Sequence, residues 1–64
     1  MKTVLLISNN KRRAVVYQDD RLTVKYSVAQ WHHNEHMGWC SIGIWSCKTL
    51  SAVKEELILA GLLR

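Results

Sequence analysis

Between Arg21 and Trp31 the alternation is the clearest in the chain, with Leu22, Val24, Tyr26 and Val28 on one parity and Arg21, Thr23, Lys25 and Ser27 on the other. A period of two sorts side chains onto the two faces of a strand, whereas a helix would scatter them around its axis. This segment commits the chain to a sheet with one apolar face and one polar face.

The flanking sequence extends the same pattern. Lys2 to Ser8 is rich in β-branched residues and leucine, and Asn9-Asn10 behind it can accept the positive φ angles of a tight hairpin turn. Arg13 to Gln18 reads as a second strand, closed by Asp19-Asp20, whose carboxylates can bond to nearby backbone amides. The polar segment His32 to Gly38 reads as a loop. Trp39 to Trp45 then resumes an extended pattern, with Cys40, Ile42 and Ile44 on one face.

The period changes once, after Thr49. Its hydroxyl suits a helix N-cap, and Leu50, Val53, Leu57 and Ala60 recur at helical spacing. Gly61 suits the left-handed residue that closes a helix, with Leu62 and Leu63 able to add a further turn. The expected fold class is therefore α+β. It is a single small domain over residues 1–64, an antiparallel β-meander of three or, in our reading, four strands in chain order, with one C-terminal α-helix packed on one face.

Size sets the next bound. A domain of 64 residues buries only roughly 60% of the surface that its unfolded chain exposes. An apolar fraction of 48% with no proline still points to a folded domain rather than a disordered segment. The apolar run Val4 to Ile7 is far shorter than a signal-peptide core or a membrane span. A cytoplasmic protein without a membrane partner is expected.

The net charge of +4 is unevenly placed. Residues 1–25 hold Lys2, Lys11, Arg12, Arg13, Arg21 and Lys25 against Asp19 and Asp20, while the charges of residues 26–64 cancel. A local positive field attracts phosphate backbones or acidic protein surfaces.

If Leu22, Val24, Tyr26, Val28, Cys40, Ile42 and Ile44 pack under the helix, parity collects Arg21, Thr23, Lys25, Ser27, Trp31, Trp39, Ser41 and Trp45 on the open face. Such a face suits a small non-catalytic binding protein. In the leading expectation the ligand is nucleic acid, most simply DNA. Arg12, Arg13, Arg21 and Lys25 would then position phosphates, with Trp31, Trp39 and Trp45 making stacking or apolar contacts. The alternative is a protein-interaction module that uses the same tryptophans as anchors. The bland reading is that the tryptophans merely shield the second side of the sheet. Leu59, Leu62 and Leu63 form a second apolar edge, suited to a partner or a homodimer.

No metal or other cofactor is expected. His32, His33, His36 and Cys40 are the only metal-ligand candidates, and their spacing matches no common structural zinc pattern. On one extended strand Cys40 and Cys47 would stand roughly 23 Å apart, at about 3.3 Å per residue, too far for a disulfide, which needs Cα atoms within about 7 Å. They also differ in parity, which would send them to opposite faces. Glu35 beside His33 and His36 is the only acid–base grouping, and nothing in the sequence orients it, so no enzymatic activity is expected.

In architecture alone, a meander followed by one helix resembles the small sheet-reading DNA-binding domains at the N-termini of some phage and transposon integrases. That resemblance implies a sheet face entering the major groove. The same architecture is similar to many small phage-encoded regulators and inhibitors of host complexes. It transfers no site residue in either case.

Overall fold

The computed structural model describes residues 2–18 and 25–63. Strands β1 (Lys2–Ser8), β2 (Arg12–Gln18), β3 (Tyr26–Asn34) and β4 (Gly38–Cys47) are followed by helix α1 (Leu50–Leu59). The strands form one antiparallel sheet in chain order, β1-β2-β3-β4, and the helix lies across β3 and β4. This is the expected α+β meander. The Asp19-Asp20 turn and the Arg21 to Val24 portion of the expected third strand lie outside the described residues.

Both described hairpins are built on an asparagine that uses its side chain rather than an unusual backbone. Asn9 Oδ1 accepts from the amides of Lys11 and Arg12, both at 2.8 Å. Asn34 Oδ1 accepts from those of His36 at 2.8 Å and Met37 at 3.0 Å. The positive φ expected at Asn9-Asn10 is absent, since among the described residues only glycines carry one. A side-chain acceptor already satisfies the turn amides, so the backbone can stay in ordinary regions.

At the second hairpin the loop is Glu35 to Met37, with Gly38 at φ 77° where the chain re-enters the sheet. A turn ending in a left-handed residue is a favoured three-residue connection. The expected loop from His32 to Gly38 is correspondingly shorter, and His32 and His33 belong to β3.

The helix begins and ends by side-chain and backbone devices visible in the sequence. Thr49 Oγ1 accepts from the Ala52 amide at 3.2 Å. At the other end, the Gly61 amide donates to Ile58 O at 3.0 Å and the Leu62 amide to Leu57 O at 2.9 Å, with Gly61 at φ 78°. That paired arrangement is a Schellman cap, in which the residue after the glycine folds back onto the last turn. Leu62 and Leu63 accordingly pack against the core instead of extending the helix.

The core lies between the helix and one sheet face. Ala14, Val16, Val28, Cys47, Val53 and Leu57 are buried there, with Ile7, Tyr26, Ala52, Leu62 and Leu63 partly buried around them. Of the expected helical stripe, Val53 and Leu57 are buried and Leu50 is exposed.

Candidate binding surfaces on the two sheet faces

Cross-strand partners share a face, so the register assigns every described strand residue to one side. One irregularity decides the tryptophans. Gln30 pairs with Gly43 but Trp31 pairs with Ser41, which leaves Ile42 as an extra residue in β4. This bulge reverses parity along β4. Ahead of it, Trp39 and Ser41 stand opposite His33 and Trp31; beyond it, Trp45 stands opposite Val28, a core residue.

Trp45 therefore lies on the helix side, and the expected cluster of three tryptophans on one open face is corrected to two, Trp31 and Trp39. Ile44, expected under the helix, pairs with Ala29 on the open side and is 70% exposed. The same inversion places both Cys40 and Cys47 on the helix side, through their partners His32 and Tyr26, where parity alone would separate them. Both are free thiols.

On the open face, Arg13, Trp31, His33 and Trp39 form one cluster. Arg13 pairs with Trp31 across β2 and β3, and its guanidinium carbon lies 4.3 Å from the centroid of the Trp39 ring. Trp39 meets His33 in an edge-on contact, with centroids 5.2 Å apart at 72°. A guanidinium lying on an aromatic face keeps its N–H donors directed outward in its own plane, where they can take a phosphate or a base edge. Beside this cluster an apolar row, Leu6, Val15, Ala29 and Ile44, crosses all four strands. Ser27, Ser41 and Ser46 lie on the same face.

Arg12 and Arg13 are neighbours on β2 and so face opposite ways. Arg12 joins the helix side, where a groove of ≈ 180 Å³ is lined by Arg12, Gln30, Ile42, Trp45, Glu56, Leu59 and Ala60. Gln30 is buried at 4% exposure. No fully buried side-chain nitrogen or oxygen among the described residues lacks a partner, and the Gln30 amide opens onto this groove. Sequence reasoning missed the groove. Its only advance signal was Gln30 itself, a polar residue among the apolar positions of the most regular strand.

The remaining candidates are dispersed. Lys25 is exposed just before β3, and Arg21 lies outside the described residues. Leu59 is 82% exposed, whereas Leu62 and Leu63 are half-buried, so these three do not form one edge. His32 and Cys40 pair on the helix side, His33 touches Trp39 on the open side, and His36 sits in the turn. Among the described residues no three histidine, cysteine or acidic side chains gather as a metal site would require. Burial pushes the Cys47 thiol up from its ordinary pKa, with Glu56 adding repulsion. No described helix is long and apolar enough to cross a membrane.

What the fold and its surfaces define is a four-stranded meander with one face under a helix and the other open. Set against protein-family models, curated proteins and solved structures, the chain matches none of them.

Proposed function

We propose that this chain is a small non-catalytic binding protein that docks nucleic acid on the open face of its sheet. The observation that carries the reading is the Arg13 guanidinium seated over Trp39, with Trp31 and His33 alongside, on the sheet face opposite helix α1. Arg13 supplies a phosphate or base-edge contact, and the indoles supply stacking surface, which is sequence-tolerant because every base has a π-face. The excess positive charge of residues 1–25 adds long-range attraction. The helix-side groove is smaller than the roughly 300–1,000 Å³ usual for small-molecule sites, which favours a binding role over catalysis.

The test is a titration of fluorescent single-stranded and duplex DNA at about 50 and 200 mM salt, with tryptophan emission followed in parallel. Binding should weaken at the higher salt and change the emission. Arg13→Ala should lower affinity and reduce the salt slope by about one. Trp39→Ala should weaken single-strand binding by about 1–3 kcal/mol. An unchanged salt slope in Arg13→Ala would remove this face as the contact.

A second reading is favoured by the groove. A buried amide flanked by Arg12 and Glu56, with Trp45, Ile42 and Leu59 as apolar walls, suits one inserted side chain of a protein partner, as a regulator or inhibitor would use. The two readings separate by variant. Loss of DNA binding in Trp39→Ala but not in Trp45→Ala supports the sheet face, and no DNA binding at low salt transfers the function to the groove.

A further inference from the structure

β1 is the least supported element of the fold. Of its seven residues only Ile7 packs against the core, and the others are exposed. Val4, Leu5 and Leu6 are 43%, 40% and 66% exposed. Leu5 pairs with Val16 on the helix side and Leu6 with Val15 on the open side, so β1 presents apolar surface on both faces of the sheet at once.

It also presents an open edge. β1 pairs with β2 alone, and the helix packs mainly over β3 and β4, with Ile7 the one β1 side chain packed against the core. The backbone N–H and C=O groups on its outer edge have no strand partner among the described residues. Edge strands are normally blunted by charges, proline, shortness or bulges. In Lys2–Ser8 the only charge is Lys2 at the start, and there is no proline. The one protecting feature is an irregularity between Thr3 and Leu5, which leaves the run from Leu5 to Ser8 regular. The opposite edge differs, because the bulge at Ile42 interrupts β4 near its middle.

We propose that β1 pairs antiparallel with β1 of a second copy of this chain, about a two-fold axis at Leu6, to give a continuous eight-stranded sheet. In that register Leu6 faces its own counterpart, Leu5 faces Ile7, and Val4 faces Ser8. Leucine meets leucine on the open face and Leu5 meets Ile7 on the helix side, and Lys2 falls outside the paired run, so no like charges are opposed. Leu5 and Ile7 extend the helix-side core across the axis. An isologous contact of this kind closes on itself and uses up the free β1 edge of both copies.

Edge-to-edge pairing suits a flat molecule, and the extents are 38 × 23 × 15 Å.

The experiment is the mass of the full chain by light scattering over a wide range of concentration. The expected mass is twice 7.4 kDa. Leu6→Lys sets two ammonium groups against each other at the axis and should return the protein to monomer with an unchanged circular dichroism spectrum. Leu59→Lys, on the helix, should remain dimeric. As a measurement independent of how Leu6→Lys folds, Leu6→Cys in a Cys40→Ser background should oxidise to a covalent dimer, since residues directly opposite on antiparallel strands come within reach of a disulfide. A wild-type monomer at every concentration overturns the proposal. So does a dimer that survives Leu6→Lys, or one lost in Leu59→Lys alone.

Discussion

At the scale of single residues, adjacent side chains on one strand lead different lives. Arg12 lines the groove under the helix while Arg13 lies over Trp39 on the open face. A double substitution of the pair would therefore mix two sites, and only single variants are interpretable. The two cysteines show the same separation by burial. Cys47 is in the core, whereas Cys40 is half-buried with its Sγ 3.7 Å from Gly38 O. A neutral thiol reagent should modify Cys40 quickly and Cys47 only as fast as the fold opens, which a time course on the native protein and the Cys40→Ser variant resolves. The raised Cys47 pKa also has a stability consequence. The folded state holds this proton after the unfolded chain has released it, so the stabilisation is complete below about pH 8.5 and is lost as pH rises through the folded value. Melting temperature should fall more steeply with alkaline pH in the wild type than in Cys47→Ala.

At the scale of elements, the helix is held by very few side chains. Leu57 is fully buried, and Leu59, two residues on, is 82% exposed. Leu57→Ala should cost about 2–5 kcal/mol, the range for a buried leucine that leaves a cavity. Typical domain stability is about 0.05–0.15 kcal/mol per residue, so that loss is a large part of the total. Leu59→Ala should be neutral within about 0.5 kcal/mol. Urea denaturation of both variants checks the contrast, and a loss in Leu59→Ala as large as that in Leu57→Ala would mean that Leu59 is packed as tightly as Leu57. The hairpins, by comparison, are set locally. Asn9 and Asn34 each collect two amides, and that chemistry needs nothing beyond the turn itself.

At the scale of the whole molecule, the sheet is wider than its helix can cover. The helix packs mainly over β3 and β4, Leu62 and Leu63 beyond it pack against the core, and β1 has β2 as its one strand partner, with Ile7 alone of its side chains packed against the core. If the open edge of β1 is satisfied by a second copy, melting temperature should rise with protein concentration, because mass action links dissociation to unfolding. That dependence should vanish in Leu6→Lys. A melting temperature independent of concentration in the wild type would speak against association.

The order of the strands, the Thr49 and Gly61 ends of the helix and the position of the core strand β3 were legible in the sequence. Each depends on local properties: a period of two, a hydroxyl before a helical stripe, a glycine after it. Trp31 and Trp39 were placed correctly for the same reason. Trp45, Ile44 and the common side of Cys40 and Cys47 were not, because one extra residue at Ile42 inverts everything beyond it. The one mark in β4 is Gly43, beside the extra residue and at φ 155°, since a glycine inside a strand often signals a bulge; which residue is extra is a relation between two strands rather than a property of one. The sequence by itself determined which segments extend and which coils, because those preferences act between near neighbours. Which face each side chain occupies, the groove between Arg12 and Trp45, and the bare edge of β1 were decided by tertiary structure, because they depend on register and on how far a ten-residue helix can reach across four strands.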